Sequence, residues 1–223
     1  MIYPYGYPYI SPYDATYNTS GTLRVTEADP AQTFTEPLTL DMVKKHLQID
    51  DANTDSDGLL QMWISAARYQ AEIVQGRDLI RKQWDLSYDY WPQYRVELRA
   101  PLVSVDLVQY KDLTGATTEM EENTGYVVDK TKEPGLITPP WNISWPAFMP
   151  WPSSSILIRF TSGYAADSQW WSGRGALVKS GMLLLISAWF ENRLPFATGL
   201  ASVNEYPFAV TSCLSYGSLK RAR

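Results

Sequence analysis

The chain holds 223 residues, 45% hydrophobic and 19% charged, with a formal net charge of -5 and an isoelectric point near 4.9. That composition supports a buried core in most of the chain and argues against a nonspecific DNA-binding surface over the whole molecule, leaving open a DNA-lined channel in an assembly. One cysteine, Cys213, excludes an internal disulfide and a zinc site of several thiolates, as fits a reducing compartment.

Residues 1 to about 36 read as an extended arm. Tyr3, Tyr5, Tyr7, Tyr9 and Tyr13 alternate with Pro4, Pro8 and Pro12 and with small residues, which favours polyproline II over helix or central strand. The tyrosines offer large contact area at low ordering cost to a partner surface; without a target the arm is simply solvated. Asp14 is the one charged side chain before Arg24, so the basic region and apolar run of a signal peptide are missing.

Thr39 can cap a short helix over 39–47 with Met42, Val43 and Leu47 as its apolar stripe. The acidic segment from Asp50 to Asp57 follows. Asn53, Asp55, Asp57 and Gly58 match the opening of a calcium-binding loop, but Ile64 stands where a bidentate glutamate is needed. Capping of the next helix is the preferred reading, beside a weak calcium site completed by another subunit. That helix spans 58–76, with Leu60, Trp63, Ile64, Ala67, Ala71 and Val74 on one face and Gly76 as its stop.

Short segments of strand character come next: Gln83 to Tyr90, Arg95 to Leu98, Val103 to Tyr110, Thr117 to Met120, Tyr126 to Val128, Leu136 to Thr138 and Ser155 to Thr161. Turn signals at Thr114-Gly115 and Glu133-Pro134-Gly135 divide them, as expected of an antiparallel β-rich insertion over 83–162 between helices.

Within it, Pro139 to Pro152 gathers Trp141, Trp145, Trp151 and Phe148 among prolines and cannot be regular structure. Packing of this aromatic loop over apolar surface is preferred to stacking on sugar rings. A third long helix is expected over 176–192, nearly apolar all round. Its richest run, Met182 to Ile186, lies between Lys179 and Glu191 and is too short to span a bilayer, so no membrane partner is expected.

Catalytic chemistry finds no footing. GRGALVKS, Gly173 to Ser180, has Val178 where a phosphate loop needs glycine, so Gly173 and Gly175 are expected to form the loop into the helix. His46, the single histidine, sits beside Lys44 and Lys45 on a short helix and reads as exposed or interfacial rather than as a general base. No pair of carboxylates is singled out for glycosidase work. No cofactor and no metal are expected. The terminal SYGSLKRAR places Lys220, Arg221 and Arg223 on an acidic chain, either as a solvated tail or as a segment entering an acidic or nucleic-acid-bearing partner surface.

Taken in order, the PLTL start, ARYQAEIVQGR, QWDLSYDYWP, RAPLVSV, the EPG turn, RFTSGY and SAWFENR resemble the head-tail connector (adaptor) proteins of tailed bacteriophages. The similarity runs from about Glu36 to Leu219. It departs from the family pattern in the longer N-terminal arm and in the tail, where Cys213 and Ser215 stand in a region expected to be richer in leucine and proline.

The resemblance implies an α+β fold: a helical bundle with an inserted antiparallel β-rich subdomain and extended N- and C-terminal arms. The expected division is an arm over 1–36, a connector domain over 37–199 and a portal-docking segment over 200–223. It implies a structural, non-enzymatic virion neck protein, synthesised in the host cytoplasm. It further implies twelve copies in a ring under the portal protein, bridging it to a head-completion (stopper) or tail-terminator protein and continuing the channel for packaged DNA.

By analogy, Tyr216, Leu219, Lys220, Arg221 and Arg223 contact the portal, and the ring faces lie on the helices at 59–75 and 176–192. The terminal arms, including 214–223, are expected to order only on the portal. The alternative is an aromatic-rich carbohydrate- or receptor-binding module with Trp141, Trp145 and Trp151 as its platform.

Overall fold

Thr39 starts the first helix as the sequence suggests: its hydroxyl accepts from the Met42 amide at 3.2 Å, and α1 runs Leu40–Leu47. The coordinates are a computed structural model that describes residues 22–25, 35–191 and 208–219, with the backbone alone for 22–25 and Phe208. The second helix, α2, spans Asp57–Gln75 and stops at Gly76, which takes the left-handed conformation at φ 70° and returns its amide to the Glu72 carbonyl at 2.9 Å. The helix α3 spans Arg174–Glu191 and α4 spans Phe208–Ser215.

The chain divides into two compact units. The helical unit takes residues 29–82, 99–101 and 162 onward. Its core stacks Leu60, Ile64, Ala67 and Ala71 of α2, spaced on one helical face, against Val178, Met182, Leu185 and Ile186 of α3 and Val210 and Leu214 of α4. Most of these side chains are fully buried, and each large aliphatic one contributes about 1.5–3 kcal/mol relative to exposure. Gly181 is what lets α4 lie this close to α3, since a Cβ there would sit 2.8 Å from Leu214 Cδ2.

Polar joints tie distant segments of the same unit. Glu72, buried on α2, accepts from Arg68 Nη1 at 3.0 Å, from Lys82 Nζ and from the Leu79 amide at 3.0 Å. Residues 77–80, 99–101 and 162–164 meet where Asp78 N–H donates to Ala100 O at 2.8 Å, Gly163 N–H donates to Pro101 O at 3.0 Å, and Arg99 and Ser162 both donate to the Asp78 carboxylate. Gly163, at φ 107°, has Ile80 backbone where a Cβ would go, so no other residue fits.

The β unit takes residues 1–28, 83–98 and 102–161 by sequence. Its strands are β1 Thr22–Val25, β2 Lys82–Tyr88, β3 Val96–Leu98, β4 Leu102–Lys111, β5 Thr117–Glu119, β6 Val127–Asp129, β7 Gly135–Thr138 and β8 Ile156–Ser162. They form a five-stranded sheet in the order β1-β2-β8-β4-β5 and a three-stranded sheet in the order β3-β7-β6. The β1-β2, β4-β5, β3-β7 and β6-β7 pairs are antiparallel. On β8 the alternate residues Ile156, Ile158 and Phe160 point into a core shared with Leu86, Val96, Leu98, Val108 and Ile137.

The fold is α+β, with an antiparallel β-rich segment between helices. One part of the segment read as a free arm departs from that reading: Thr22–Val25 is a strand, paired with β2 from Thr22 opposite Ser87 to Val25 opposite Trp84. Glu36 is also held, accepting from Arg68 Nε at 2.8 Å and from Ser65 Oγ at 3.0 Å.

Candidate interaction surfaces

The C-terminal segment shows the clearest departure from a free tail. Residues of α4 and the turn after it are seated on the end of α2, where four carbonyls normally lack partners. Ser218 Oγ donates to Val74 O at 2.6 Å and Leu219 N–H to Gln75 O at 2.9 Å. In return Gln75 Nε2 donates to Leu214 O and to Tyr216 O, and Arg77 Nη2 donates to Gly217 O at 3.0 Å. Residues 214–219 thus have hydrogen-bond partners within their own subunit, where the sequence reading expected a segment that orders only on the portal. Of the residues assigned to portal contact, Tyr216 is 61% exposed and Leu219 is half-buried; Lys220, Arg221 and Arg223 lie outside the described residues, as do Tyr3, Tyr5, Tyr7, Tyr9 and Tyr13.

The aromatic loop does not bring its three tryptophans into one platform. Trp145 stacks on Trp91 with centroids 4.5 Å apart and planes 4° apart, beside Tyr110 and Phe148. Trp151 lies under the ammonium of Lys111 at 4.1 Å. Trp141 is 97% exposed and has no such partner ring among the described residues. Packing thus claims Trp145, a cation covers a face of Trp151, and Trp141 projects alone. A flat saccharide platform needs coplanar open faces, and these residues do not supply them.

The acidic segment before α2 engages Lys44. Lys44 is 4% exposed; its Nζ meets Asp57 Oδ1 at 2.6 Å and donates to Asn53 O at 2.8 Å. Asp50 and Asn53 accept from Ala52 and Asp55 amides in local turns. Side-chain capping of α2 does not occur: Ser56 holds the cap position without a side-chain hydrogen bond. Among the described residues no cluster of three His, Cys, Asp or Glu side chains could hold a metal ion, and no helix is long and apolar enough to cross a membrane. His46 is exposed on α1. Gly173 ends a 3-10 helix over Gln169–Ser172, while Gly175 lies inside α3 rather than in the loop, its missing Cβ making room for Trp170.

The exposed side of α2, where the resemblance placed a ring face without naming residues, carries a line of apolar side chains. Leu59, Met62, Ala66, Tyr69 and Ile73 are all exposed, at spacings of three and four that place them in one line on the helix. Met62 and Tyr69 are 58% and 62% exposed. The individual residues were hidden because half-buried Trp63 and Val74 fall between this line and the core line of Leu60, Ile64, Ala67 and Ala71, so that together they form one broad apolar band.

Helical packing and a β-rich insertion define an α+β protein with exposed apolar surface on α2. Its fold is shared with chains of solved gene transfer agent particles. A chain in the neck of an empty gene transfer agent particle, computed with C6 symmetry, matches with a TM-score of 0.66 at 21% identity, covering 91% of this chain and 97% of that one. A chain of the virion of a native gene transfer agent particle matches at 0.67 and 20% identity, covering 90% and 97%. A chain in the neck of the native particle, computed with C12 symmetry, matches at 0.63 and 21%, covering 91% and 97%. No family model and no curated protein matches the sequence.

Proposed function

We propose that this chain is a structural, non-catalytic protein of a virion neck, a head-tail adaptor. In this reading twelve copies form a ring under the portal, bridge it to the next neck or tail component, and continue the DNA channel. The observation that carries it is the end-to-end coincidence of fold with neck chains, across 91% of this chain and 97% of theirs. Neck structures with C6 and C12 symmetry support a cyclic assembly, in which a modest contact repeated around a closed ring gains avidity that one subunit lacks.

The seated C-terminal turn refines the portal contact. Leu219 is pinned to the end of α2 with Tyr216 exposed, and the residues that follow in sequence include the basic Lys220, Arg221 and Arg223. On a chain of net charge -5, that makes the tail the electrostatically distinct feature offered to an acidic or nucleic-acid-bearing surface.

The test is single-particle mass detection of the full chain mixed with the portal ring of the same virus. Addition of about twelve copies, the closed-ring expectation, supports the adaptor reading. A protein that stays monomeric and unattached overturns it.

A further inference from the structure

The solvent side of α2 is unusual in having no charge. Its exposed residues are Gly58, Leu59, Gln61, Met62, Ser65, Ala66, Tyr69 and Ile73. Surface helices ordinarily place charged residues opposite their core stripe. The charges that α2 does carry are turned inward: Asp57 onto Lys44, and Arg68 and Glu72 onto Glu36, Lys82 and each other. What remains outside is a neutral band with a line of apolar side chains along nearly the whole 19-residue helix.

We infer that this band is a seam between copies of this chain, the line Leu59, Met62, Ala66, Tyr69, Ile73 packing against the next subunit. Two features select a second copy as the occupant. Each copy carries a net charge of -5, so two copies repel one another as they approach; the charge-free band adds no like-charge contact to that repulsion. A partner recruited by charge complementarity, the usual source of specificity between unlike proteins, would find nothing on this face to read.

The inference rests on the ring reading above, which also explains how so narrow a seam suffices. A single helix stripe falls short of the roughly 800 Å² per partner of a stable pairwise interface, so the contact is weak in a free pair and strong only when repeated around a closed ring. Closure makes it head-to-tail, with the stripe meeting a different surface of the neighbour.

The test uses full-length chain, half of it isotopically heavy, with photo-reactive p-benzoylphenylalanine in place of Tyr69, assembled on the portal ring and irradiated. Heavy-light crosslinks at position 69 are expected. Met62→Glu and Ile73→Glu should each raise the concentration needed for assembly by about tenfold or more, the cost of burying an unpaired carboxylate, while a melt of the free chain stays within a few degrees of the parent. Two results overturn the seam and leave the neck reading standing. One is full assembly by both glutamate variants; the other is crosslinking confined to the portal chain or to the same copy. If the parent chain forms no multi-copy assembly, the neck reading falls and the seam with it.

Discussion

Arg99 holds Asp78 through two donors at once, Nε at 3.0 Å and Nη2 at 2.7 Å, and the aspartate it holds is fully buried. Ser162 Oγ adds a third donor. The three residues belong to separate segments of the helical unit, each adjoining a point where the chain passes into the β unit by sequence.

Removing Arg99 takes the guanidinium from a buried carboxylate that keeps the Ser162 hydroxyl, a change that costs about 3 kcal/mol. Because the Arg99 side chain is 35% exposed, water can partly replace it, which keeps the cost from rising above that figure. Arg99→Ala should therefore lower the urea midpoint clearly, and Asp78→Asn should cost less because a neutral amide needs no countercharge. An Arg99→Ala midpoint equal to the parent would refute this account of the joint.

The seat of the C-terminal turn depends on Gln75, which is 1% exposed and donates to two carbonyls of that turn. Gln75→Ala leaves both carbonyls short of a donor at about 1 kcal/mol each. Hydrogen exchange of the Leu219 amide should accelerate about tenfold or more, while amides in the middle of α3 stay at parental rates. Equal acceleration in both places would mean that the substitution loosens the whole unit rather than the seat.

How much of this was legible in the sequence depended on how local each signal was. The strands β2 to β8 all fall within two residues of segments read from alternation and turn residues, because Ile156, Ile158 and Phe160 alternate cleanly and Gly115 sits at φ 87° in the turn where Thr114-Gly115 announced it. Thr39 and Gly76 bounded their helices for the same reason. The helix α4 was missed. Phe208–Ser215 is eight residues with two β-branched members and no charge pattern, and such a segment is helical only through packing, here Leu214 against Gly181. The Asp78 joint was equally invisible, since Arg99 and Ser162 are distant in sequence and neither belongs to a motif. Of the three tryptophans in the proline-rich loop, the sequence could say that they would pack, but only the fold supplies Trp91 as the partner that separates Trp145 from the other two.

That separation is testable at Trp145. Its indole Nε1 and that of Trp91 are buried with no hydrogen-bond partner among the described residues. Trp145→Ala loses the stack at a cost of about 2 kcal/mol, below the full core value because Trp145 is only partly buried. Trp145→Phe keeps an aromatic face while removing one unsatisfied donor, so it should cost less, about 1 kcal/mol or below. Trp141→Ala, at a 97% exposed site, should leave the melting temperature unchanged. A glycan-binding signal abolished by Trp141→Ala would revive the saccharide reading.

The turn between β4 and β5 supplies a pH-dependent reporter. Asp112 accepts from Thr114 Oγ1 at 2.5 Å, from the Thr114 amide at 2.9 Å and from the Ala116 amide at 3.1 Å. The Thr114 hydroxyl is the leading cause of a carboxyl pKa below the ordinary aspartate value, with the backbone amides adding to it and partial burial opposing it. A depressed folded-state pKa means that the turn's stabilisation is fully present above the unfolded aspartate value and is lost as pH falls through the folded one. The Thr114 and Ala116 amide resonances should thus hold steady at neutral pH and shift together only in acid, below the usual aspartate midpoint. In Thr114→Ala the leading donor is gone, so the midpoint should move up toward the ordinary value; Thr114→Ser, which keeps the hydroxyl, should restore it. A midpoint that stays in place in Thr114→Ala would show that the backbone amides alone hold the carboxylate.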